Sequence, residues 1–138
     1  PCVAHQVRYN LLEHAEVEKE VIPAAEEAGL GTVVFSPLAQ GVLTNKYADG
    51  VPDGSRAAKG SPFIERYLHN DAKAYARRLP VMAQARGQTP AQTALAWVLR
   101  DARVASAVIG ASQPEQIREN VAALRNLSFD VNEINALM

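Results

Sequence analysis

Hydrophobic and polar positions follow two rhythms along this chain. Three short apolar runs read as strands, at residues 3–10, 32–36 and 104–109. Thr32 to Phe35 is the clearest, because β-branched and aromatic side chains pack well on a pleated surface. Pro37 lacks a backbone donor, so that strand should end by Ser36. The first run alternates imperfectly, with polar Gln6, Tyr9 and Asn10 towards its end. Between the runs the spacing turns helical. Glu13 to Ala28 reads mainly as helix, and Pro23 either opens a short helix at its first position or bends a longer one. Gly29 and Gly31 mark the stop and turn that follow.

Further along, Asn70 or Asp71 caps a helix that runs through Arg86, with Tyr75, Leu79, Met82 and Ala83 on its apolar side. Pro80 predicts a kink there, or a break into two shorter helices. Thr89-Pro90-Ala91-Gln92 is a stronger start: Thr89 caps, Pro90 fits the first turn, and Gln92 completes a capping box. Its expected inner face is Ala91, Ala94, Leu95, Val98 and Leu99. Ser112 with Glu115 resembles another capping box, followed by a stripe of Ile117, Val121 and Leu124. Asp130 with Glu133 starts a last helix containing Ile134 and Leu137. Residues 45–70 are weakly periodic and rich in turn signals such as Asp49-Gly50, Pro52-Asp53-Gly54 and Gly60-Ser61-Pro62. So long a stretch without structure is unusual inside a compact domain, so it reads as a functional lid or a disordered loop.

Helix, turn and strand in this order make βαβ crossovers, which imply neighbouring parallel strands. The expected fold is therefore α/β: a partial (β/α)8 TIM barrel with about three parallel strands. A closed barrel takes about 250 residues, and 138 can supply only part of one. No short internal repeat or heptad array is present.

Composition narrows the function. At 48% hydrophobic and 21% charged, the chain is globular rather than disordered or fibrous. A net charge of -1 argues against nonspecific nucleic-acid binding, which needs clustered Lys and Arg. No run reaches the roughly 18 apolar residues of a membrane span, and no signal-peptide pattern precedes the first strand. Membrane insertion is therefore not expected. Cys2 is the single cysteine, so no internal disulfide can form; a reducing, cytoplasmic setting is the expectation. His5, His14 and His69 lack ligand-pair spacing, and no HExxH or CxxC string occurs, so no metal site is expected.

In a barrel the ends of the parallel strands meet at one catalytic face. Three such ends are visible: Gln6 to Asn10, Phe35 to Gly41, and Gly110 to Ser112. The turn Phe35-Ser36-Pro37-Leu38-Ala39-Gln40-Gly41 can bring backbone N–H groups near a phosphate. Lys46 adds positive charge, and Arg56 offers a planar donor fork. Gly110-Ala111-Ser112 leads into a helix start that favours an anion. Each feature has a plainer reading. Ser112 and Glu115 cap a helix, Gln40 and Gly41 form a turn, and Phe35 belongs to the core. Lys46 and Arg56 are solvated charges, and Gln6, Tyr9 and Asn10 cap a strand. Gln116, Glu119 and Asn120 are a polar helix face or read a base edge.

At these strand ends the sequence resembles the aldo-keto reductases. The matching strings are HQVRYNLLE, GLGTVVFSPLAQGVLTNKY and VIGASQPEQIREN. They resemble the branch with bacterial glyceraldehyde-3-phosphate reductases and voltage-gated potassium-channel beta subunits. The resemblance spans essentially the whole chain, residues 1–138, and matches the C-terminal part of a family protein. It implies an oxidoreductase in which NADP(H) donates hydride to an aldehyde or ketone and yields the alcohol. By the same resemblance Gln6 contacts the nicotinamide carboxamide and Phe35 stacks on that ring. Ser36, Leu38, Gln40, Gly41 and Lys46 follow the pyrophosphate, while Pro37 and Ala39 shape the turn. Arg56 approaches the 2'-phosphate, and Ser112, Gln116, Glu119 and Asn120 hold the adenosine end, beside Gly110. Residues 45–70 would be a cofactor-covering loop.

Two departures from the family pattern stand out. Asn45 replaces a frequent Gly, and Arg8 places a charge near the first strand end, where it alters the substrate surface or points outward. The family's catalytic Asp, Tyr, Lys and His come from the preceding part of the barrel, so the resemblance places no catalytic residue in this chain. Tyr9, His14 and Lys19 do not occupy those positions. Two readings follow. One is part of an NADP(H)-dependent enzyme that takes a small carbonyl substrate and is completed by the rest of the barrel. The other is a nonenzymatic cofactor-binding or interaction module that self-associates through an open strand edge.

Overall fold

The computed structural model describes every residue except Ala48, Asp49, Arg56, Arg66, Leu68 and His69, with the backbone alone for Glu65, residues 70–73 and Ala76. Three strands form one parallel sheet in the order β1 (Ala4–Arg8), β2 (Gly31–Phe35), β3 (Val104–Val108). All three coincide with the expected runs, and the parallel pairing follows from helical crossovers. The result is a three-stranded arc with its two outer strands unclosed, the geometry of a partial (β/α) barrel.

The first crossover is continuous. A wide π-turn over Val17–Val21 runs directly into α1 (Ile22–Glu27), with Pro23 near its start. Pro23 sits in the first turn of this short helix, close to the opening position expected for it, but the helix runs on from the π-turn without a gap. Its ring would clash with the carbonyl four residues back, and a widened turn before it relieves such a conflict. In the second crossover, α2 (Pro62–Glu65) is a single turn, and α3 (Asn70–Ala85) keeps Pro80 inside one 16-residue helix rather than breaking there. The capping read for Asn70 and Asp71 lies outside the described side chains. α4 (Pro90–Leu99) starts as expected: the Thr89 side chain accepts from the Gln92 N–H, and the Gln92 side chain accepts from the Thr89 N–H.

α4 does not have one inner stripe. Pro90, Ala91 and every residue from Thr93 to Val98 are buried, because α3, α5, β3 and the turn after α5 surround it. A helix apolar all round belongs in the interior. Trp97 is fully buried in its last turn, 5.2 Å from the Tyr9 ring and 5.4 Å edge-on from His14. After β3 come α5 (Pro114–Ala122) and α6 (Val131–Leu137). On α5 the expected stripe is reversed. Ile117, Val121 and Leu124 are half or more exposed, whereas Asn120 and Ala123 turn towards α4. α6 has its expected capping box, formed by Asp130 and Glu133. Glu133 also accepts from Arg86 at 2.8 Å; the Arg86 side chain is 2% exposed and lies 3.7 Å over Phe129, clamping α3 to α6.

Residues 45–70 carry more order than a structureless loop. They hold a 3-10 turn at Asn45–Tyr47 and α2, and they bury Ser55, Ile64 and Tyr67. Among the described residues no helix is long and apolar enough to cross a membrane.

Candidate cofactor wall at the strand ends

The register brings the three strand ends together. Arg8 pairs with Phe35, and Phe35 with Val108, so the C-terminal ends lie side by side. Residues in register share a face of the sheet. One face therefore holds Gln6 and Arg8, Val33 and Phe35, and Ser106 and Val108. This face is open: Gln6 and Ser106 are exposed, and Arg8, Val33 and Phe35 are only half-buried. The opposite face carries Thr32, Val34 and Val104, all buried, with α1 packed on β2 and α4 on β3.

Immediately after β2 the backbone is strained. Ser36, Ala39 and Gln40 have φ of 56°, 45° and 59°, in the left-handed region that side chains with a Cβ resist, and Gly41 follows at 96°. Such strain persists only when surrounding contacts over-determine it, and it gathers at ligand sites. Here the contacts are visible. Asn10 is fully buried, and its Nδ2 donates to the Ser36 carbonyl at 3.1 Å and to the Tyr67 hydroxyl at 3.4 Å. Asn10 Oδ1 accepts from the Leu12 and Glu13 N–H groups at 2.9 and 3.1 Å. Tyr67 in turn donates to Glu13 at 2.6 Å. Burial, then this carboxylate, pushes the Tyr67 hydroxyl up to about 12. Gln40 Nε2 donates across the turn to Ser36 Oγ at 3.2 Å. Asn10 and Tyr67 thus tie β1, the strained turn and the long second crossover into one unit. The sequence showed Asn10 only as a polar strand end; its partners 26 and 57 residues away have no local signal.

The other candidates sit around this wall. Ser36, Leu38, Gln40 and Gly41 are half-buried, while Pro37 and Ala39 are buried and shape the turn. Lys46 is exposed, and its Cδ lies 3.8 Å from where a Cβ on Gly41 would stand, so it flanks the turn. Asn45 needs no left-handed backbone, which removes the conflict expected from its replacing Gly. Arg56 lies outside the described residues. Gly110, Ser112 and Gln116 are exposed at the start of α5, Glu119 is half-buried, and Asn120 is 8% exposed on the side of α4.

The expected capping box at α5 does not form. Gln113 takes the cap position without a side-chain bond. Gln116 Oε1 reaches back instead to accept from the Ser112 N–H at 2.8 Å, and Glu115 pairs with Arg118 at 3.2 Å. Extended Gln113 starts the helix one residue later than the Ser112 spacing requires.

Arg8 does not simply point outward. Its guanidinium lies 5.3 Å over the Phe35 ring and 3.8 Å from Glu13. It also borders a cavity of about 430 Å³ lined by Leu12, Glu13, His14, Ala15, Glu16 and Val17. That cavity lies beside the strand ends and includes neither Gln6 nor Phe35.

Tyr9, His14 and Lys19 have other roles. Tyr9 is fully buried; its hydroxyl donates to Glu18 at 2.7 Å and accepts from Arg100 at 2.9 Å. Burial, reinforced by Glu18, raises its pKa far above the ordinary tyrosine value. Burial works to raise the Glu18 carboxyl as well, but the donors from Arg100 and Tyr9 outweigh it and hold it below the usual range. Arg100 stacks 3.8 Å from the Trp97 ring, and His14 contacts the other side of the same cluster. Lys19 is exposed beside Glu20.

Comparison with known proteins agrees with this arrangement. The profile of the aldo/keto reductase family matches residues 1–138. The chain belongs to the aldo/keto reductase family. L-glyceraldehyde 3-phosphate reductases from two Escherichia coli strains are 41% identical over 138 residues, covering 97% of this chain and 40% of each relative. A Schizosaccharomyces pombe protein assigned as a voltage-gated potassium channel subunit beta is 40% identical over 126 residues, covering 88% of this chain and 37% of that protein. The chain therefore spans about 40% of the length of the curated relatives it matches.

Proposed function

We propose that this chain is the nicotinamide-cofactor wall of an NADP(H)-dependent aldo/keto reductase that reduces aldehydes or ketones to alcohols in the cytoplasm. The observation carrying this reading is that Gln6 and Phe35 share one open sheet face, next to the strained Ser36–Gly41 turn. The donor set fits the group. Gln6 offers an amide for a carboxamide, Phe35 offers a flat apolar ring, and Lys46 offers positive charge beside the turn. α5 starts at Pro114, a few residues beyond the end of β3, and a helix start favours an anion. When bound, NADPH would supply the hydride. The chain's own residues orient and enclose it.

Proton donation belongs to residues outside this chain. Tyr9 cannot serve, because its hydroxyl is buried and spent between Glu18 and Arg100. In this reading the small carbonyl substrate is met by the whole barrel, and residues 45–70 cover the cofactor. Arg56 pairs with the 2'-phosphate, a charge-assisted contact open to a bidentate geometry. Calorimetry with both cofactors tests that assignment. Arg56→Ala should weaken NADPH binding more than NADH binding, by about 1–3 kcal/mol. An unchanged preference in a folded variant removes the role.

A further inference from the structure

We infer that Arg8 makes the nicotinamide pocket selective for the reduced cofactor over the oxidised one. The inference rests on the proposed reading of Phe35 as the platform for the nicotinamide ring. Arg8 and Phe35 are register partners on the open face, and the guanidinium already stands 5.3 Å from the centre of that ring. A flat ring laid on Phe35 therefore meets a permanent positive charge at close range. Oxidised nicotinamide is itself a cation, whereas the reduced ring is neutral. The charge repels one and not the other.

The anchoring of Arg8 leaves its charge available. Its side chain is 33% exposed and donates no hydrogen bond to any described residue. Among the described residues its ionic neighbour is Glu13, 3.8 Å away and held at its other oxygen by Tyr67 at 2.6 Å. Among the described residues, His14, turned towards Glu18 and Trp97, and exposed Glu16 also line this side. Glu13 reduces the field of Arg8 and, with it, lines the neighbouring cavity, which includes neither Gln6 nor Phe35. If the guanidinium yields its place to the ring, it can tighten its contact with Glu13 and still remain beside the nicotinamide. The Arg8–Glu13 ion pair is long, at 3.8 Å, and carries no hydrogen bond.

The test is equilibrium titration of the full chain with NADPH and with NADP+, comparing wild type, Arg8→Gln and Arg8→Lys. Two charges within about 7–9 Å, at the dielectric of a partly exposed site and in moderate salt, should change the affinity ratio roughly three- to tenfold. Wild type and Arg8→Lys should prefer NADPH, and Arg8→Gln should lose that preference chiefly by binding NADP+ more tightly. Lys46→Gln serves as the control, since a charge beside the pyrophosphate stretch should weaken both forms alike. A ratio unmoved by Arg8→Gln, with both forms still bound, overturns the role of Arg8 and leaves the platform reading standing. Failure of wild type to bind either form defeats the platform reading and the proposal together. Near-ultraviolet circular dichroism establishes that each variant is folded.

Discussion

The two faces of the sheet are finished differently. On the helix-covered face Thr32, Val34 and Val104 are buried, and polar groups at its rim are tied: Tyr9 to Glu18 and Arg100, and Arg86 to Glu133. On the open face Gln6, Arg8, Phe35 and Ser106 are exposed or half-buried, and Arg8 keeps all its donors unspent among described residues. The lesson is a division of labour within five-residue strands. Alternate residues build either a core or a recognition surface, and the pleat keeps them apart. Only at the strand ends do the two meet, through Asn10 and the strained turn it holds.

Truncating Trp97 against truncating Phe35 should expose this division most sharply. Trp97→Ala removes a fully buried ring from the last turn of α4 and should cost about 3–5 kcal/mol in denaturant unfolding. Phe35→Ala should cost well under half as much, because its ring is half-buried, yet it should lose most of the NADPH affinity. Equal losses of stability would show that the open face is core after all.

Next in size is Asn10→Ala. It removes the donor to the Ser36 carbonyl and the acceptor of the Leu12 and Glu13 N–H groups, although Ser36 keeps the Ala39 N–H and Glu13 keeps the Asn10 carbonyl, so about 1–3 kcal/mol should be lost. Hydrogen exchange should rise at Leu12, whose N–H group loses its acceptor, and NADPH should bind more weakly. Unchanged exchange with unchanged binding would detach the network from the wall.

How much of this was legible beforehand follows the range of the interactions. The strands, the Thr89 and Asp130 caps and the glycine stops are set within a few residues, and they lie where their spacing put them. The candidate wall was legible as strings, through Gln6 and the turn from Phe35 to Gly41. Its left-handed backbone at non-glycine residues was not, since only Gly41 signals such a conformation locally. Periodicity failed on α4 and α5 for one reason. Burial depends on how many neighbours surround a helix: α4 has them on all sides, whereas the apolar stripe of α5 stays half or more exposed among the described residues. Pro23 lies in the first turn of a short helix, one of its two expected roles, whereas the break allowed at Pro80 does not occur.

A smaller effect appears with pH. Glu18 has a folded pKa below its unfolded one, so its contribution to stability is full above the unfolded value and fades as pH falls through the folded value. Acid titration of stability should therefore show a loss as Glu18 takes up its proton. Glu18→Gln should flatten that limb of the profile. An unchanged limb would show that Glu18 does not carry it.

The most direct test of the central claim uses one purified sample of the chain for two measurements, calorimetric titration with NADPH and an assay of NADPH-dependent aldehyde reduction. A wall of cofactor contacts without a placed proton donor predicts saturable binding that falls with Phe35→Ala, together with no turnover. Robust turnover by the verified 138-residue chain, or the absence of any NADPH binding by a folded sample, would contradict it.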